Sequence, residues 1–191
     1  MTENKKQRLI IGISGASGFQ YGVRLLELLK PLNIETHLII TKAAQLVRAA
    51  ETPLSAKEVI ALADHYYAYE DVACAVASGS YITAGMIVAP CSMRSLAEIA
   101  TGVTSNALTR AADVVLKERR RLVLMVRESP LHAGHLHNMQ QATQLGAIIA
   151  PPIPAFYNKP QTLADMIDHT LGRVLDLFDI DVGVVRRWRS H

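Results

Sequence analysis

The chain has 191 residues, half of them hydrophobic but only 5% aromatic, and a formal net charge of +3. Such a length buries one core without disulfide staples, so residues 1–191 are expected to form a single domain, and an interior of Ala, Val, Leu and Ile favours a parallel sheet covered by helices. The small, scattered charge excludes a nucleic-acid footprint, two cysteines exclude a disulfide framework, and no apolar run nears the ~20 residues that span a bilayer. With no signal-peptide pattern at the start, a reduced, cytoplasmic setting is expected.

Arg8–Ile13 is a short apolar run ending in Ser14-Gly15-Ala16-Ser17-Gly18, and Tyr21, Leu25, Leu28 and Leu29 follow at helical spacing. This reads as strand, tight loop, helix. Pro31 ends the helix, and Glu35–Ile40 supplies the second strand of a right-handed βαβ unit. Thr41 is placed to cap a helix from Lys42 to about Ala50, and Ser55-Ala56-Lys57-Glu58 has the form of a capping box before another. His65 to Ala84 has weak periodicity and reads as an irregular connection. Met86–Ala89 is a buried strand closed by Pro90-Cys91-Ser92. Helices are predicted from about Arg94 to Thr101 and from about Asn106 to Glu118, followed by a strand at Leu122–Val126. A helix at His132–Leu145, a strand at Ala147–Ala150, a stiff loop at Pro151-Pro152-Ile153-Pro154 and a helix at about Thr162–Phe178 complete the chain. The alternation predicts an α/β, Rossmann-like, doubly wound and mostly parallel sheet with helices on both faces, in which ligands bind beyond the C-terminal strand ends.

The first loop stands where a dinucleotide fingerprint would, but Ser14 replaces its second glycine, and the Gly-Lys-Ser/Thr ending of a P-loop is missing. NAD and ATP are therefore disfavoured. Small residues and two hydroxyls at a helix N-terminus suit a phosphate or a flat ring, with a plain tight turn as the alternative. Ser92 and its backbone amide follow a buried strand in the same way. Cys91 reads as a packed thiol, since no activating histidine is placed by sequence. His132, His135 and His137 put two imidazoles on one helical face without a third ligand for zinc, so no metal is expected. The basic run Lys117-Glu118-Arg119-Arg120-Arg121 fits a helix end whose cations complement the dipole as well as a ligand role. Arg110, Lys117, Arg127, Glu128, Tyr157 and Arg173 form the more informative set. Lys117 lies near a helix end, Arg127-Glu128 just past one strand and Tyr157 in the loop past another. If they converge, cations hold phosphate, the carboxylate exchanges protons and Tyr157 donates a hydrogen bond. Surface ion pairs are the alternative for each alone.

In chain order, Ser14-Gly15-Ala16-Ser17-Gly18, Glu51-Thr52, Ser78-Gly79-Ser80, Pro90-Cys91-Ser92, Arg110-Ala111-Ala112-Asp113, Leu116-Lys117-Glu118-Arg119-Arg120, Arg127-Glu128 and Ala155-Phe156-Tyr157 carry a resemblance. From Gly12 to Trp188 the sequence resembles the UbiX-like flavin prenyltransferases, a family that includes proteins once labelled aromatic acid decarboxylases. The resemblance implies a flavodoxin-like fold, a homododecamer, and binding of FMN and dimethylallyl phosphate without metal. The implied product is prenylated FMN, the cofactor of a UbiD-like decarboxylase. By position, Gly15, Ala16, Ser17, Ser92 and Arg110 would hold FMN, with Thr41 where the family often has Ser. Lys117, Arg127, Tyr157 and Arg173 would hold the prenyl phosphate. Glu128, Glu51 and Ser17 would handle protons while the allylic carbon joins N5 of reduced FMN and the ring closes at C6. Phe19, where a small residue is common, would alter loop packing. Two other readings are weaker. An FMN-dependent peptidyl-cysteine-type decarboxylase would need a histidine after the second strand and an Asn-rich motif in matching context, and neither is found. A non-catalytic flavin-binding subunit of a decarboxylase system would have no use for a second phosphate site.

Overall fold

Residues 6–187 are described by the computed structural model, so both ends of the expected 1–191 domain, Trp188 among them, lie outside the described residues. The strands are β1 Gln7–Ile13, β2 Ile34–Ile40, β3 His65–Tyr67, β4 Gly85–Cys91, β5 Arg121–Val126 and β6 Ile148–Ile149. They form one parallel sheet in the order β3-β2-β1-β4-β5-β6. The helices are α1 Phe19–Leu29, α2 Lys42–Glu51, α3 Ala56–Ile60, α4 Met93–Ala100, α5 Ala107–Lys117, α6 Ala133–Gln144 and α7 Leu163–Asp176.

Alternation along the strands sorts the core into two layers. Leu9, Ile11, Ile13, Ile87 and Met125 pack with α1 and α7 through Leu25, Leu26 and Leu175. Ile10, Met86, Val88, Leu122 and Leu124 pack with α4, α5 and α6 through Leu96, Leu108 and Ala142. With both faces covered, the central strands read as continuous apolar runs, which is why they were legible. Gly22 lets α1 lie against the sheet: a Cβ there would stand 2.5 Å from Ile13 Cδ1 and 2.7 Å from the Ala89 carbonyl oxygen. Arg24 then grips Asp168 through two hydrogen bonds of 2.7 and 2.9 Å, tying α1 to α7.

The segment read as irregular contains β3, a correction to the expected connection. Only His65–Tyr67 pairs, with His37 opposite His65, and a strand this short leaves no periodic signal. Without it the strand order would be that of flavodoxin; with it the order is that of the larger dinucleotide-binding sheets. β6 is shorter than the expected Ala147–Ala150. The expected caps are present: Thr41 Oγ1 accepts from Ala44 N at 3.1 Å, and Ser55 and Glu58 form a complete capping box. Thr162 and Asp165 form a second capping box at α7.

Where β2 and β3 meet, the fully buried His37 places Nδ1 2.9 Å from the Tyr67 hydroxyl and Nε2 3.0 Å from Glu35 Oε1. The side-chain atoms of Glu35, His37 and His65 lie close enough to share a metal ion, all within 4.8 Å. That carboxylate oxygen, however, already accepts from Arg8 at 3.2 Å and from Tyr81 at 3.3 Å, so its charge is already countered by a guanidinium. Burial, aided by His65, holds His37 below its ordinary value of 6.5. Burial pulls the Glu35 carboxyl up, but Arg8 and His37 outweigh it and hold it low. Both groups bind protons less readily folded than unfolded, so their stability is complete above the unfolded pKa and is lost as pH falls. The urea midpoint should therefore decline as pH drops below 6.5, the unfolded value for His37. A His37→Asn variant should show a shallower decline between pH 6.5 and the carboxylate range, the remainder coming from buried His169, whose pKa is also held down; an identical profile in both proteins would refute the assignment.

Candidate active site

The strand order reverses between β1 and β4, and the loops leaving β1, β2, β4 and β5 enclose a cavity of about 600 Å³ at their C-terminal ends. Its walls include Gly15, Ala16, Ser17, Thr41, Ser92, Arg127 and Glu128. The first turns of α2 and α4 also face it, through Lys42 and Ala43 and through Met93, Arg94 and Ser95.

Ser14 explains the departure from the dinucleotide pattern. Its hydroxyl, fully buried, donates to the Pro90 carbonyl at 2.9 Å and accepts from Ser92 N at 2.7 Å. A glycine could not make this stitch between the β1 and β4 loops. The Ser92 amide is consequently engaged by Ser14, while Ser92 itself lines the cavity. Ser92 Oγ caps α4 by accepting from Ser95 N, as Thr41 caps α2. These two residues thus present helix N-termini to the cavity, where the partial positive charge favours an anion. Gly15 rests on the α2 end: a Cβ there would lie 2.4 Å from Ala43 Cβ, so a side chain would push the loop off that helix.

Gly18 enters α1 with φ 102, a conformation that favours glycine, and it brings no capping side chain. Glu51, the last residue of α2, performs that task from a distance. Its Oε2 accepts from Gly18 N and Phe19 N, each at 2.9 Å, and it also takes the Ser17 hydroxyl. Burial pulls its carboxyl up, but Ser17, the two amides and Arg127 together hold it below the usual carboxylate range. Phe19 is fully buried in the α1 layer and anchors the end of the loop. Across the cavity Arg127 N continues the β5 edge by donating to Cys91 O at 3.0 Å, and the Glu128 side chain accepts from Ser129 N at 3.0 Å.

The remaining expected residues lie elsewhere on the chain. Arg110 pairs with Asp113 at 2.7 Å on α5. Lys117 pairs with Glu118 and lines a separate concavity with Asp113 and Arg119. α5 runs back from the end of β4 to the start of β5, so its C-terminus falls at the opposite edge of the sheet from the cavity. Tyr157 and Arg173 line a third concavity with His169. Convergence within one chain therefore holds for Arg127 and Glu128 but not for Arg110, Lys117, Tyr157 and Arg173. Of the basic run, Arg120 is structural, donating to Tyr81 O and Gly79 O and so fixing the Ser78-Gly79-Ser80 loop.

Burial pushes the Cys91 thiol up to about 12, so it is packing and not a nucleophile. His132 caps α6 by accepting from Gly134 N and stacks on His135 outside the cavity. The sequence reading missed Tyr69 and Glu98 in the cavity wall. Glu98, braced by Arg94 and Asn106, lies on the helix that follows Ser92 and was open to inference from position. Tyr69 comes from the aperiodic connection and carries no sequence signal.

The chain matches the Flavoprotein family model over residues 1–188. It is 55% identical over 184 residues to the flavin prenyltransferase UbiX of Neisseria meningitidis serogroup B, covering 96% of this chain and 97% of that protein. The chain belongs to the UbiX flavin prenyltransferase family. A crystal structure of a UbiX in complex with FMN and dimethylallyl pyrophosphate matches with a TM-score of 0.95 at 46% identity, over 97% of this chain and 99% of that one. A dodecameric FMN-dependent UbiX-like decarboxylase from Escherichia coli O157:H7 matches with a TM-score of 0.94 at 47% identity, over 96% and 100% of the two chains. The flavodoxin-like, Rossmann-type architecture is thus that of the family. Among the described residues no helix is long and apolar enough to cross a membrane.

Proposed function

We propose that this protein is a flavin prenyltransferase that moves a dimethylallyl group from dimethylallyl phosphate onto reduced FMN. The observation that carries the reading is the crevice at the sheet reversal, where Ser17, backed by Glu51 behind the loop, faces Arg127 and Glu128 across one cavity. FMN suits this donor set. The Gly15–Ser17 loop approaches closely without side-chain bulk, and the α2 and α4 N-termini attract one phosphate. A second nucleotide half would need the glycine pattern that Ser14 interrupts. When bound, reduced FMN supplies the nucleophilic positions N5 and C6.

The chain supplies charge and proton handling. Arg127 counters the negative charge that grows on the departing phosphate. Glu128, at the rim, exchanges a proton with that phosphate. Glu51, held ionised, can receive a proton through the Ser17 hydroxyl. Lys117, Tyr157 and Arg173 complete the phosphate site, and Arg110 the FMN site, from neighbouring chains of a closed assembly such as the homododecamer of the Escherichia coli relative. Exposed Ile153, Phe156 and Leu163, each more than 70% accessible around the Tyr157 loop, provide apolar surface for such contacts. The product is destined for a UbiD-like decarboxylase. A cytoplasmic setting accords with Cys74 and Cys91, both buried free thiols.

Anaerobic incubation with FMN, a reductant and dimethylallyl phosphate, followed by mass spectrometry, tests the reading. Flavin heavier by one prenyl unit is expected; unchanged FMN would overturn it. In titrations FMN should bind well ahead of FAD, and comparable affinity for the two would contradict the assigned phosphate site.

A further inference from the structure

Helices α4, α5 and α6 end in the same backbone motif. In each, the residue after the cap turns into the left-handed region, its amide bonds three residues back and the next amide bonds five residues back. At α4 and α6 that residue is Gly102, with φ 72, and Gly146, with φ 105. An added Cβ at either would meet nothing within 4 Å, so the conformation alone calls for glycine. At α5 the same position is held by Arg119, with φ 56. Its amide donates to Leu116 O at 3.0 Å and the Arg120 amide to Val115 O at 2.9 Å, so the motif is complete and an arginine bears the left-handed strain.

Compensation of the helix dipole does not call for this arginine, because Lys117 already stands in the last turn of α5. The concavity of about 600 Å³ between α4, α5 and α6 does. Its charged wall residues are Glu98, Asp113, Lys117 and Arg119. Glu98 is matched by Arg94 at 2.8 Å, Asp113 by Arg110 at 2.7 Å, and Lys117 by Glu118. Among the described residues no carboxylate pairs with the exposed Arg119, so it supplies the uncompensated positive charge of this wall. A phosphate reaching Lys117 meets an ammonium already paired with a carboxylate, whereas the guanidinium of Arg119 offers parallel donors to two phosphate oxygens.

We propose that Arg119 binds the prenyl phosphate together with Lys117, and that this contact is why an arginine stands where the backbone favours glycine. This rests on dimethylallyl phosphate being the substrate and on Lys117 belonging to its site.

Prenylation at saturating reduced FMN, urea unfolding and sedimentation of three variants test it. Arg119→Gly and Arg119→Ala both remove the cation, so each should raise KM for dimethylallyl phosphate roughly tenfold or more, with a smaller change in kcat and unchanged FMN affinity. Their stabilities should separate, glycine unfolding at higher urea than alanine because only alanine is strained at this φ. Arg119→Lys restores the charge and should recover most of the lost affinity. All three should sediment as the wild type does. Unmoved KM in the glycine variant, a lysine variant as weak as glycine, or alanine as stable as glycine would each overturn the proposal. So would dissociation of the assembly, which would make Arg119 a subunit contact. Wild-type protein that leaves FMN unprenylated would count instead against the substrate assignment.

Discussion

Glu128→Gln is expected to slow prenyl transfer by roughly 10²–10⁴-fold while leaving FMN affinity little changed. Glu128 stands just beyond β5 at the cavity rim, beside Arg127 and opposite the Ser17 loop. Its side chain accepts from the neighbouring amide, Ser129 N to Oε1 at 3.0 Å, and a glutamine carbonyl can still accept that bond. The loop is therefore preserved and only charge and proton exchange are lost. Single-turnover rates and FMN titrations on the same preparation separate the two effects. A variant that releases FMN yet turns over normally when saturated would place Glu128 in the flavin site.

Glu51→Gln should cost turnover on the order of 10²-fold with FMN retained. One amide oxygen can still accept from Gly18 N and Phe19 N, as Oε2 does at 2.9 Å to each, so the α1 end stays capped. The proton acceptor for the Ser17 hydroxyl is lost. Glu51→Ala removes the cap as well, and there FMN affinity should fall too because the Ser17 loop loses its anchor. Since the Glu51 carboxyl is held below its ordinary value of 4.5, it stays ionised throughout the neutral range. The wild-type rate should thus show no loss attributable to Glu51 until pH falls below that value. Equal rates for wild type and Glu51→Gln would remove it from the proton path and leave it as a cap.

Ser17, Arg127 and Glu128 were legible because each sits within a few positions of a strand end, and a doubly wound sheet brings its central strand ends together. Thr41 was legible as a helix cap, and the cap geometry is what places it at the cavity. Glu51 was named only through resemblance. Nothing local marks the end of α2 as the partner of the α1 amides.

By itself the sequence determined the alternation of strands and helices, the two-faced burial of β1, β4 and β5, and the helix starts at Thr41, Ser55 and Asn106. These depend on near neighbours: apolar periodicity decides which faces are buried, and a cap bonds within its own first turn. Tertiary structure alone decided the pairing of β3, the Ser14 stitch that occupies the Ser92 amide, the reach of Glu51 to α1, and the entry of Tyr69 into the cavity. It also separated Arg110, Lys117, Tyr157 and Arg173 from the crevice within one chain. Periodicity records that a residue faces inward but not which distant group it meets. A polar side chain's role depends on that partner, which is set when remote segments pack against one another.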